Sequence, residues 1–149
     1  MTSTTKRLPV IGVMGSGSKP WEERAAPLGR WLAERGVHLL TGGGGGVMTA
    51  VSRAFHEVDP RPGRVLGILP STEADRTSSK SGYPNPWVEI PIFTHLPHSG
   101  DRGQDPLSRN HINVLTSDVI VGLPGSEGTL SEIHLALRYE RPVIAFLQE

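Results

Sequence analysis

Cysteine is absent from the 149 residues, which excludes disulfides, thiolate metal sites and cysteine nucleophiles. Aromatic residues make up only 5%, and Trp21, Trp31 and Trp87 are too scattered to form a platform for stacked bases. No charge of one sign prevails, because 15 Lys and Arg balance 15 Asp and Glu. The basic field that draws in nucleic acid or an anionic membrane is therefore missing, and neither partner is expected. No apolar run approaches the roughly 20 residues that span a bilayer. Met1–Lys6 lacks the apolar stretch of a secretory signal, so a cytoplasmic location is expected. The length suits one domain over residues 1–149, with a core of its own.

Glycine and proline are in excess: 18 and 13 residues, about a fifth of the chain, against an average near 12%. Five glycines are contiguous at Gly42–Gly46. Others pair at Gly15 with Gly17 and at Gly125 with Gly128. Each group follows an apolar run.

Those runs alternate with amphipathic stretches. Val10–Met14 reads as a strand. A helix carrying Leu28, Trp31 and Leu32 on its core face follows, closed by Gly36, with Pro27 suited only to its first turn. Val37–Leu40 is a second strand, and Val47, Val51, Phe55 and Val58 mark one face of a second helix. Val65–Leu69 is a third strand, and residues 70–87 a polar loop. Val88–Phe93 is a candidate strand that Pro91 confines to an edge or a bulge. His95–Pro106 is a second loop, Asn110–Thr116 a short helix and Val119–Leu123 a strand. Thr129–Tyr139 is a helix with Leu130, Ile133 and Leu137 on one face, before a last strand at Val143–Leu147. Continuously apolar strands alternating with helices predict an α/β fold, a single doubly wound Rossmann-like domain with a mostly parallel sheet.

In such sheets ligands bind beyond the carboxyl ends of the strands, where all three glycine groups fall. Glycine lets backbone N–H groups close on an anion, and the helix that follows adds the positive end of its dipole. A phosphorylated ligand is expected. A dinucleotide is not: Gly15-Ser-Gly17-Ser-Lys-Pro20 lacks the third glycine, and the strand ending in Thr41-Gly42 lacks the acidic residue for a ribose. No Gly-Lys-Ser/Thr follows either, so NAD and ATP hydrolysis are both disfavoured.

Two segments, Leu40-Thr-Gly-Gly-Gly-Gly-Gly-Val-Met48 and Leu123-Pro-Gly-Ser-Glu-Gly-Thr-Leu-Ser-Glu132, resemble the two signatures of the Lonely Guy (lysine-decarboxylase-like, SLOG) superfamily. Ile11-Gly-Val-Met-Gly15 and Arg109–Val121 are most similar to its molybdenum cofactor carrier branch. The resemblance implies one of two functions. One is a carrier that binds molybdopterin, the molybdenum cofactor, without chemistry. The other is a phosphoribohydrolase that cuts the N-glycosidic bond of nucleoside 5′-monophosphates, with Arg109 and Glu132 as its catalytic pair. A third reading is a nucleotide-sensing module without turnover. In the binding readings Gly15, Ser16, Gly17 and Ser18 form the pocket with Gly42, Gly43, Gly44, Gly45, Gly46, Val47 and Met48. Arg109 and Asn110 join them, as do Pro124, Gly125, Ser126, Gly128 and Thr129. The resemblance further implies a homodimer, for which apolar helix faces such as Leu130/Ile133/Leu137 are candidates, and many relatives carry a helix beyond the last strand.

The sequence departs from the enzyme pattern. The family's His-x-Arg-Lys reads Leu107-Ser-Arg109-Asn110, Pro-Gly-Gly reads Pro124-Gly125-Ser126, and the first glutamate of a Glu-Glu pair is Ser131. The glycine loop is one residue short. Thr129-Leu-Ser-Glu132 also matches a capping box, in which Glu132 would serve its own helix. His95, His98, Asp101 and Asp105 resemble a metal cluster, but with prolines and glycines interleaved they read as a flexible polar rim, and no tightly bound metal is expected. Asp118 reads as the end of a helix or turn.

Overall fold

A computed structural model describes residues 6–148; most of the N-terminal stretch considered for a signal lies outside them. Six short strands form one sheet. Val-Ile-Gly-Val-Met at Val10–Met14 makes β1, buried along nearly all its length as befits the centre of a parallel sheet. The other strands are β2 (His38–Thr41), β3 (Val65–Leu69), β4 (Ile90–Phe93), β5 (Val119–Gly122) and β6 (Val143–Ala145). They lie in the order β4-β3-β2-β1-β5-β6, with every neighbouring pair parallel. The chain moves outward from β1 in one direction as far as β4, then returns to the other side of β1 for β5 and β6. The switch point therefore lies between β1 and β5.

Helices α1 (Glu22–Glu34) and α2 (Val47–His56) cover one face, and α3 (Asn110–Thr116) and α4 (Glu127–Arg138) the other. The first layer buries Leu32, Val51 and Phe55 against Val13 and Leu39; the second buries Val114 and Leu135 against Met14, Leu40 and Ile120. Helices α1 and α2 nearly touch: a Cβ at Gly29 would lie 2.5 Å from the Val51 carbonyl oxygen and 3.0 Å from Ala54 Cβ.

Three local expectations are corrected. Helix α1 starts at Glu22, so Pro27 stands inside it rather than in its first turn. Its core face runs through Ala25, Gly29, Leu32 and Ala33, which leaves Trp31 on the opposite side, 51% exposed under the Arg35 guanidinium. Helix α4 starts at Glu127, so Thr129 is its third residue and Glu132 lies one turn further in. The N-cap is Ser126, without a side-chain bond, and no capping box forms.

Strand β4 does lie at an edge, with Pro91 paired to Gly67. The loops lack periodicity but are well tied. Asp75 accepts bonds from the Thr77 and Ser78 hydroxyls at 2.6 and 2.7 Å, which holds its carboxyl down to about 2. The segment read as a flexible rim contains a single 3-10 turn, Gly100–Arg102. There His98 lies 3.5 Å from Glu73 and 3.2 Å from Asp105. Asp118 receives Arg7 at 2.9 Å and the Val10 N–H at 2.8 Å, so it fastens the start of β1 as well as preceding β5. No helix among the described residues is long and apolar enough to cross a membrane.

Candidate functional site

The loops after β1, β2 and β5 meet at the switch point through backbone bonds. Ser16 N–H donates to the Pro124 carbonyl at 3.0 Å, and Val47 N–H donates to the Ser16 carbonyl at 2.8 Å. Ser16 is the knot of the site, and its hydroxyl also accepts the Lys19 N–H at 2.9 Å. Within the glycine run, Gly43 and Gly46 adopt φ of +77° and +59°, where a side chain would be strained. Gly43 N–H donates to the Thr41 hydroxyl at 3.0 Å and Gly44 N–H to Met48 Sδ at 3.3 Å. Much of the run thus holds its own loop.

These loops enclose a cavity of about 210 Å³. Of the residues expected to bind a ligand, Gly15, Gly17, Gly42, Met48, Arg109, Asn110, Ser126, Gly128 and Thr129 line it, and so does Glu132. Ser16, Ser18, Gly43, Gly44, Gly45, Gly46, Val47, Pro124 and Gly125 do not line it. Val13, Met14, Tyr83, Ser99 and Gly100 join the wall without having been expected. The first two merely complete β1, whereas the others come from aperiodic loops. The one signal for Tyr83 was its aromatic ring in a segment rich in Ser, Thr, Pro and Asn.

Arg109 immediately precedes α3 and is only 4% exposed. Its Nη1 donates to the Ile68 carbonyl at 2.8 Å, while Nε has no partner. A Cβ at Gly42 would run into the guanidinium, so that glycine makes room for it. No carboxylate lies within salt-bridge reach of Arg109 among the described residues. A buried cation without a counter-ion is expensive, and an anion entering the cavity would relieve it.

Glu132 projects from α4 into the same cavity, 9% exposed, and its Oε2 has no hydrogen-bond partner. Burial pushes its carboxyl up to about 7, although the Arg109 charge and the neighbouring Asn113 amide pull it back. With no capping box formed, its carboxyl is left to the cavity. Asn110 Oδ1 and Thr129 Oγ1 are also buried without partners. Such groups are uncommon in folded proteins, and their convergence makes this cavity the candidate site. Ser131 turns away: its hydroxyl donates to the Gly128 carbonyl at 2.8 Å and accepts Asn110 Nδ2 at 3.0 Å, which fixes the Asn110 side chain.

The histidines of α3 and α4 have structural surroundings or none. His111 meets the Tyr139 hydroxyl at 2.7 Å, and His134 is exposed on α4. Among the described residues, no group of three or more His, Asp or Glu side chains is arranged to hold a metal ion.

Fold and cavity together define a doubly wound α/β protein with a polar, arginine-bearing site at its topological switch point. The model of the SLOG cluster4 family matches residues 8–149, and the chain belongs to that family. An uncharacterized protein of Archaeoglobus fulgidus is 34% identical over 134 residues, 89% of this chain and 76% of its own. A cytokinin riboside 5′-monophosphate phosphoribohydrolase of Arabidopsis thaliana is 34% identical over 136 residues, 88% of this chain and 54% of its own. The chain thus spans about half the length of that plant relative. Among solved structures, the molybdenum cofactor binding protein of Rippkaea orientalis superposes with a TM-score of 0.76 and 36% identity, over 97% of this chain and 80% of that one. The Moco carrier protein of Chlamydomonas reinhardtii gives 0.70 and 33%, over 94% and 76%.

Proposed function

We propose that the protein binds a phosphorylated pterin- or nucleotide-like ligand in the switch-point cavity and carries it unchanged, with the molybdenum cofactor as the first candidate. The observation that carries this reading is Arg109, a buried guanidinium without an ion pair that faces the cavity. The solved relatives named as molybdenum cofactor binding or carrier proteins support the choice of ligand. The residues present fit such a group. Arg109 and the uncapped start of α4 at Ser126 suit its phosphate. Asn110 Oδ1, Thr129 Oγ1 and the Glu132 carboxyl would meet polar edges of the ligand. At 210 Å³ the cavity is smaller than the roughly 300–1,000 Å³ typical of a whole cofactor site. It would take the phosphate-bearing part and leave the rest at its mouth.

Carriage fits the carboxyl count better than turnover does. Among the described residues, Glu132 is the only acidic one lining the cavity. Held up to about 7, it suits proton transfer as well as binding, so it is the lack of a second carboxyl among the described lining residues that favours carriage. A neutral carboxyl supplies both a donor and an acceptor to a bound ligand.

Turnover remains the second reading, favoured by Arg109 and Glu132 sharing one cavity and by the plant relatives' activity. One experiment separates the two. The protein is incubated with a panel of nucleoside 5′-monophosphates while free base is measured, and molybdenum cofactor binding is titrated alongside. The carrier reading expects no released base and saturable cofactor binding, weakened at least tenfold by Arg109→Ala. Release of free base that disappears in Glu132→Gln would establish the hydrolase instead.

We also propose a cytoplasmic homodimer. The exposed apolar side chains Leu130 and Leu137 of α4, with Ile144 and Phe146 at the β6 edge, support burial against a second copy.

A further inference from the structure

Among the described residues, Tyr83 is the only aromatic one lining the cavity, and several contacts hold it there. The loop that carries it is fastened to the glycine run two residues later, where Asn85 is buried. Asn85 N–H donates to the Gly43 carbonyl at 2.7 Å, and its side-chain amide donates to the Gly44 carbonyl at 2.9 Å. At the other end of the segment, Lys80 Nζ reaches the Ser99 hydroxyl at 3.4 Å, so this loop and the one bearing Ser99 meet over the cavity. Gly44 leaves space for the ring: a Cβ there would lie 2.7 Å from Tyr83 Cε1 and 2.8 Å from Cζ. The Arg109 guanidinium stands 5.8 Å from the ring centroid, within cation–π range.

We propose that Tyr83 selects the ligand's planar ring by stacking on it, so that the site prefers a heterocycle-bearing phosphate to a bare sugar phosphate. This rests on the reading of the cavity as a phosphorylated-ligand site. Every purine or pterin has a π face, and an aromatic wall beside a buried cation suits such a face. Tyr83 is half-buried and lines the cavity, where a ligand can meet it. A bare sugar phosphate gains nothing from that wall.

The test is calorimetric titration of AMP and of ribose 5-phosphate into wild type, Tyr83→Leu and Tyr83→Phe, each checked for its fold by thermal melting. Stacking predicts that Tyr83→Leu weakens AMP by about tenfold and leaves ribose 5-phosphate within about twofold, while Tyr83→Phe keeps the wild-type preference. Equal weakening of both ligands in Tyr83→Leu would make Tyr83 a mere support of the cavity and overturn the proposal. So would unchanged AMP binding. Failure of wild type to bind AMP would also overturn the proposal, and only failure to bind molybdenum cofactor as well would overturn the reading of the cavity.

Discussion

A carboxyl buried beside a guanidinium it does not pair with ties the stability of the fold to pH. In the unfolded chain Glu132 loses its proton near 4.5, whereas in the folded protein it holds it up to about 7. Between those values the folded state binds more protons, so its contribution to stability falls as pH rises and levels off above 7. Chemical denaturation at pH 4.5 and pH 8 should show a loss in wild type, on the order of 3 kcal/mol, that Glu132→Gln does not share. Equal pH dependence of the two proteins would contradict the burial described for this side chain. Gly42→Ala tests the neighbouring cation. Its methyl group would displace the Arg109 guanidinium from the Ile68 carbonyl. We expect a stability loss of about 1–3 kcal/mol together with weakened ligand binding, read by denaturation and titration on the same sample. Residues of this kind were legible in the sequence only by type. Arg109 stood in a polar loop that favoured solvation, and nothing in the local pattern indicated its burial or its lack of a carboxylate partner. Glu132 fitted a capping box as well as a place in the site, and two residues' difference in where α4 begins removed the capping box.

At the scale of elements, α1 offers two opposed tests. Pro27 is exposed inside the helix and cannot donate to the carbonyl one turn before it. Pro27→Ala should therefore stabilise the protein by about 1–3 kcal/mol, seen as a raised Tm. Gly29→Leu should do the reverse and cost several degrees or more of Tm, because α1 and α2 meet backbone to backbone at that position. The strands were readable because central strands of a parallel sheet are almost wholly apolar, and β1, β3 and α3 keep the bounds expected of them. Helix starts were less so. No side-chain cap is bonded at α1, α2 or α4, so the usual start signals are missing. Spacing alone also placed Trp31 in the core, whereas the small residues Ala25, Gly29 and Ala33 bring α2 close on the other side.

Across the whole molecule, the arrangement of β1 and β5 around the switch point explains the surplus of glycine. The three glycine groups fall at one edge of the sheet, as their placement after apolar runs implied. Their division of labour was not visible in the sequence: Gly15, Gly17, Gly42 and Gly128 face the cavity, while the middle of the run shapes the loop and receives Tyr83. The wall supplied by loops 70–87 and 94–108 was also hidden, since those loops are ordered by hydrogen bonds among polar side chains that leave no period. On the outer surface, Leu137 is 65% and Phe146 55% exposed. Light scattering should give a dimer that Leu137→Glu reduces to monomer; a monomeric wild type would refute that interface. The central claim is that a phosphorylated ligand sits against Arg109. Mass spectrometry of the small molecules released when the purified protein is denatured tests it most directly. We expect a phosphorylated pterin or nucleotide from wild type and at least tenfold less from Arg109→Ala, and release of the same compound in equal amount from both would contradict it.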